Sequence, residues 1–290
     1  MWHLQQSVAR LDAASPASPA AIPAGKLAET RLSTRPEPRL QASLDCRHPE
    51  LGLTEWRVGV SPLPTNLGSP STGIANGIPL PATVAIMRFL GPMPLEANTR
   101  LVEAYVRGAD LVVEYGENPD GDRCELYYRA LPCRSLDPRE SRSEASDPLT
   151  RHGVAGTVYG GVELWVSVQT RTLDSRPRVG VGNLFPAGTQ VLTAPDWPER
   201  GLRVFRLPGI QLSYVESVYP ADVADDASLA DTKDNAGLVT TWAGLNVVWM
   251  EKGVIRRCRV RGWWVAREGD LEIAAALTQD FLADAPPLTA

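Results

Sequence analysis

Histidine and cysteine are scarce in this chain, at three and four residues of 290. The cysteines are Cys46, Cys124, Cys133 and Cys258, and none forms a CxxC pair. Cys46 and His48 are close in sequence, but two ligands do not make a zinc site. The cysteines read as reduced strand or core residues, and no metal or cofactor is expected. Also missing are G-x-G-x-x-G, the P-loop, H-E-x-x-H and G-x-S-x-G. His3, His48 and His152 lie in irregular or linker segments, which argues against Ser-His-Asp catalysis. With 29 basic and 34 acidic residues the formal net charge is −5, so the chain as a whole lacks the positive charge that non-specific nucleic-acid binding requires. No apolar run reaches the roughly 20 residues of a spanning helix. The N-terminal MWHLQQSVARLDAASPASPAAIPAG lacks the continuous apolar stretch of a signal peptide, and N-x-[ST] does not occur. The expectation is a cytoplasmic protein with no membrane and no nucleic-acid partner.

Proline (25) and glycine (24) are plentiful and spread along the chain, which suits many short strands joined by turns. The expected fold is all-β and mainly antiparallel: a large β-sandwich, or two stacked sandwiches, with a C-terminal helix. Residues 1–37 read as a flexible Ala/Ser/Pro-rich arm whose first eleven residues suit a short helix. That arm is either a disordered tail or a segment that docks on a neighbouring subunit through Trp2. Residues 38–134 form a first sandwich half and 152–288 a second. The polar segment 135–151 is a linker between them or a crossover inside one large sandwich. Helix 270–284 has Leu271, Ala274, Ala275, Thr278, Phe281 and Leu282 at helical spacing and Asp270 as its N-cap. Residues 61–81 form a long Pro/Gly/Asn-rich loop, a kind that often carries function. Residues 220–237 read as a second long loop rich in aspartate, either a solvated loop or short helical turn, or a metal site or acidic lid facing the arginine ladder.

The stretch 238–266, LVTTWAGLNVVWMEKGVIRRCRVRGWWVA, is the most regular and holds four of the eight tryptophans. It reads as a hairpin turning at Glu251-Lys252-Gly253. No charge falls between Leu238 and Met250, so the first strand is expected to be central and covered on both faces. In the second strand, period-two alternation places Arg257, Arg259, Arg261 and Trp263 on one face. Buried, such a ladder needs carboxylate partners, because unpaired buried charge is very costly. Exposed, it is a positive stripe beside an aromatic plate, suited to carboxylate, sulfate or phosphate. Glu216 shares a strand face with Tyr214. It is either a carboxylate of raised pKa between aromatics or, the preferred reading, the partner of an arginine in the ladder. Trp242, Val248, Val260 and Trp264 are expected to be buried.

The candidate ligand-binding set is therefore Arg257, Arg259, Arg261, Trp263, Tyr214 and Glu216, and no catalytic residue is assigned. The leading function is a non-catalytic β-sandwich binding protein for a glycan or another polar, anionic ligand. The alternatives are a structural or assembly subunit, homo-oligomeric through its N-terminal arm, and a carbohydrate-active enzyme on a large β-sandwich.

Overall fold

The computed structural model describes residues 1–5, 7–14, 38–60, 87–93, 100–108, 110–136, 156–192, 201–224, 230–233, 237–247 and 249–284. Two antiparallel sheets face each other. The first runs, in spatial order, β1 (Trp2–Gln5), β2 (Val8–Ala14), β3 (Pro38–Asp45), β4 (Leu53–Val60), β5 (Arg88–Met93), β11 (Val179–Phe185), β16 (Val239–Leu245) and β15 (Ala230–Lys233). The second runs β12 (Gln190–Leu192), β13 (Leu202–Arg206), β14 (Leu212–Val218), β17 (Ile255–Ala266), β10 (Gly156–Thr170), β8 (Asp122–Leu131), β7 (Asp110–Tyr115) and β6 (Leu101–Arg107), with β9 (Arg134–Leu136) also on β10. Strands on either side of the polar segment interleave, β5 pairing with β11 and β8 with β10. The segment 137–155 and the loop 61–81 lie outside the described residues.

The long central pair β10 and β17 follows from local alternation. Leu164, Val166 and Val168 turn inward while Trp165 and Ser167 turn outward, and the register runs from Gln169↔Ile255 to Val158↔Val265. The inner faces of the two sheets enclose one apolar core. At its heart Phe89 and Phe185 of the first sheet meet Phe205, Tyr214 and Trp264 of the second, with centroids 4.3 to 5.5 Å apart in the closest pairs. Each such pair adds about 0.5–1.5 kcal/mol beyond its buried area. Trp264 and Val260 are fully buried, as the sequence pattern requires; Trp242 is half-buried, and Val248 lies outside the described residues.

The C-terminal helix α1 (Asp270–Ala283) covers part of the outer face of the second sheet. Ile273, Ala274, Leu277 and Phe281 pack on Val204, Val215, Trp263 and Val265. The N-cap is Gly269, in left-handed conformation (φ 70°), rather than Asp270. Asp270 instead turns into the sheet, where Arg206 (2.8 and 2.7 Å) and Ser213 (2.7 Å) donate to its carboxylate. Burial works against that charge, but these hydrogen bonds outweigh it and hold the carboxyl below its usual range.

Two expectations are corrected. The stretch 238–266 is not a hairpin, since β16 lies in the first sheet and β17 in the second. β17 finds its partners in β10 and β14, and the turn at Glu251-Lys252-Gly253 belongs to a link that crosses between sheets. The N-terminus is not helical either. It forms β1 and β2 at the edge of the first sheet, and Trp2 is buried against Tyr128 of the same chain (6.2 Å, edge-on). Burial of the ring within its own chain removes Trp2 as a docking anchor for a neighbour.

Candidate functional site

The six residues singled out from the sequence divide between the two sides of the second sheet. Arg257, Arg259, Arg261 and Trp263 face outward, whereas Tyr214 and Glu216 face the core between the sheets. The ladder is itself divided. Arg259 and Arg261, 5% and 7% exposed, converge on Glu163 of β10, which is 1% exposed. Arg259 Nε donates to Glu163 Oε1 at 3.0 Å and Arg261 Nε to Oε2. Phe281 of α1 lies beside both guanidinium groups (4.9 and 4.6 Å to the ring centroid), and Asp284 just past the helix pairs with both arginines. Asp222, from the acidic loop, accepts the Arg259 backbone N–H at 2.8 Å. These two arginines therefore fasten the helix end to the sheet. Only Arg257 is exposed, its guanidinium 5.9 Å from the Tyr127 ring. Trp263 is buried under the helix.

Glu216 does form an ion pair, but its partner is Arg203 rather than a ladder arginine. The two residues face each other directly in the β13–β14 register, and both are 0% exposed. Asn183 of β11 donates to the second carboxylate oxygen at 2.7 Å and to Thr241 at 3.1 Å, and its own oxygen accepts the Leu90 N–H at 3.0 Å. This cluster ties the two sheets together through buried hydrogen bonds. Tyr214 sits beside it, and burial drives its phenol far above the ordinary range, with Glu216 adding to the effect and Arg203 opposing it.

A different region has the properties of a site. At one end of the sandwich two links cross between the sheets, residues 171–178 from β10 to β11 and residues 246–254 from β16 to β17. They are pinned to each other and to the strands. Met250 N donates to Ser175 O (2.8 Å), Ser175 N to Met250 O (3.1 Å), and Gly253 N to Thr170 O (2.9 Å). Ser175 Oγ donates to Asp122 at 2.9 Å. Between these supports Arg176-Pro177-Arg178 forms a strap with a cleft on either side.

The inner cleft, of about 570 Å³, is the open mouth between the sheets. Its floor is apolar, with Val166, Val168, Cys124 and Val179, and its rim carries Asp120, Asp174, Arg176 and Arg178. Burial, assisted by the Glu125 charge, pushes the Cys124 thiol up to about 12, so it stays protonated at neutral pH. The outer cleft, of about 850 Å³, lies on the outer face of the first sheet, between the strap, Trp242 and Trp249. The Trp242 indole lies across Gly180 of the neighbouring strand so closely that any Cβ there would enter the ring. Glycine is thus what lets the half-buried indole lie flat and form the floor. Trp249 is 56% exposed. Arg176 and Arg178 are exposed and have no ion-pair partner among the described residues.

Sequence reasoning missed these four residues. Arg176 and Arg178 drew no role from the sequence, and Trp249 read only as part of a buried strand. The available signal was two arginines flanking one proline with no acidic residue between Arg176 and Arg178. Among the described residues no three of His, Cys, Asp and Glu converge to hold a metal ion. No family model matches the chain, and no curated protein matches it.

Proposed function

We propose that the protein is a non-catalytic β-sandwich binding protein for an acidic glycan, held at the loop end by the strap. The observation that carries this reading is the pair Arg176 and Arg178, unpaired among the described residues and lining both clefts, the outer one beside Trp242 and Trp249. Guanidinium forks match carboxylate and sulfate geometry. An indole laid flat offers an apolar plate for the face of a sugar ring, while the exposed Trp249 offers a second. Cleft volumes near those of small-molecule sites, roughly 300–1,000 Å³, fit one or two sugar units. The anion-binding role that the sequence suggested for the ladder thus falls to the strap, because the inner rungs of the ladder already hold Glu163. The four cysteines are buried and free, which suits a reducing compartment, so the cytoplasm is the proposed setting.

The test is a thermal-shift comparison of oligogalacturonate and heparin fragments with neutral oligosaccharides of similar length. A ligand at 100 times its Kd stabilises by about 2.7 kcal/mol, and for a chain of this size that raises Tm by roughly 5 °C. A rise with the acidic oligosaccharides alone is expected. Equal responses to acidic and neutral oligosaccharides, or none to either, would remove the anion from the account.

A further inference from the structure

The same end of the sandwich carries a second feature, an exposed apolar cluster that shares only Trp249 with the clefts. Seven large apolar side chains are exposed among the described residues, and four of them, Leu173, Trp249, Val254 and Ile255, sit together on or beside the two crossing links. Leu173 is 77% exposed, at a turn whose next residue, Asp174, has φ 61°. Val254 and Ile255 follow the Gly253 turn, which is tied to Thr170. The charge of the two links is mainly basic, while the neighbouring turn adds Asp120 and Glu117, the latter paired with Arg171 at 3.2 Å. Segments 171–178 and 249–257 hold six basic residues (Arg171, Arg176, Arg178, Lys252, Arg256 and Arg257) against Asp174 and Glu251, on a chain whose formal net charge is −5. All six basic side chains are exposed.

We propose that this tip docks on an anionic lipid surface, with Leu173, Trp249, Val254 and Ile255 entering the headgroup layer and the basic residues around them meeting lipid charges. Aliphatic and indole side chains at turns, ringed by arginine and lysine, have the division of labour that an interfacial contact needs. Charge complementarity selects this occupant over a second copy of the chain, because a two-fold contact of the tip would set one predominantly basic cluster against another. The hydrogen bonds between the links preform the tip, so little ordering opposes its insertion. This contact is peripheral and requires no spanning helix, and none of the described helices is long and apolar enough to cross a membrane. The proposal does not rest on the glycan reading.

The experiment is co-sedimentation of the full chain with vesicles of phosphatidylcholine alone and of phosphatidylcholine mixed with phosphatidylserine. Sedimentation is expected with the mixed vesicles only, and to weaken as salt is raised. Leu173→Glu/Ile255→Glu, at two exposed positions, is expected to lower partitioning by about tenfold or more with Tm unchanged. Lys252→Glu is expected to lower it by a smaller factor. A native chain that stays in the supernatant with the mixed vesicles at low salt overturns the proposal. So does a double variant that partitions like the native chain, or a native dimer that the double variant abolishes. Binding of oligogalacturonate by the double variant, measured without lipid, reports on the clefts alone, so the two proposals can fail separately.

Discussion

Replacing Glu163 by glutamine probes whether the inner rungs of the arginine ladder are an internal ion-pair network. The carboxylate is 1% exposed and receives Arg259 Nε at 3.0 Å, Arg261 Nε and the Trp165 indole N–H. Glutamine keeps the shape and one acceptor oxygen but removes the charge. Two guanidinium groups, 5% and 7% exposed, would then share only Asp284, itself 59% exposed. Breaking a buried pair from one side costs about 3–5 kcal/mol. The retained oxygen and Asp284 place this case near the lower limit, at about 3 kcal/mol. At roughly 2 °C per kcal/mol for a chain of this size, Tm falls by about 6 °C. A calorimetric melt of Glu163→Gln beside the native chain measures it. Arg257→Ala, on the exposed rung, serves as the reference and is expected within about 0.5 kcal/mol of native. A loss below about 1 kcal/mol for Glu163→Gln would refute the network, as would equal losses for the two variants.

Three further outcomes follow from the same physics. Asp222 has its carboxyl raised from 3.8 to about 6 by burial, which outweighs the Arg259 N–H and the Arg259 charge. The folded chain then holds that proton more tightly than the unfolded chain, so this residue's contribution to stability falls as pH rises from about 4 to 6. Asp222→Asn should match the native chain near pH 4 and exceed it at pH 7 by on the order of 1 kcal/mol in urea melts, and a gain on the acid side instead would reverse the sign. Arg203→Met should cost about 3–5 kcal/mol because it strands a buried carboxylate, whereas Arg203→Met/Glu216→Leu should recover most of that loss; additive losses in the double-mutant cycle would contradict the pairing. Gly180→Ala should lift the Trp242 indole from the floor of the outer cleft and destabilise by about 1–3 kcal/mol, and a variant with native Tm and native glycan binding would show that the flat indole does not matter.

Much of the fold was legible because strand alternation is local. Arg257, Arg259 and Arg261 share one face of β17, as the period-two alternation required, and Leu164, Val166 and Val168 share the opposite, inward face of the same sheet. What failed was non-local. Glu251-Lys252-Gly253 has hairpin chemistry, but sheet membership depends on which strands lie alongside, and β17 has β10 and β14 as neighbours. The apolar spacing of Trp2, Leu4, Val8 and Leu11 fitted a helix, yet edge strands closing the first sheet bury Trp2 more completely. The partner of Glu216 was within reach. Arg203 stands opposite it across a tight turn at Pro208-Gly209, so that hairpin's register would have paired them. The strap was not within reach, because its unpaired charges and its two flanking clefts exist only once the sheets are assembled.

The central claim is that Arg176 and Arg178 hold an anionic ligand against Trp242 and Trp249. Isothermal titration of oligogalacturonate into the native chain and into Arg176→Ala/Arg178→Ala tests it most directly. Two lost charge-assisted contacts at roughly 1.5 kcal/mol each predict a Kd weakened by on the order of 100-fold, with Tm unchanged in the absence of ligand. Native-like affinity in the double variant would contradict the account and return the search for a site to Arg257 and the open face beside it.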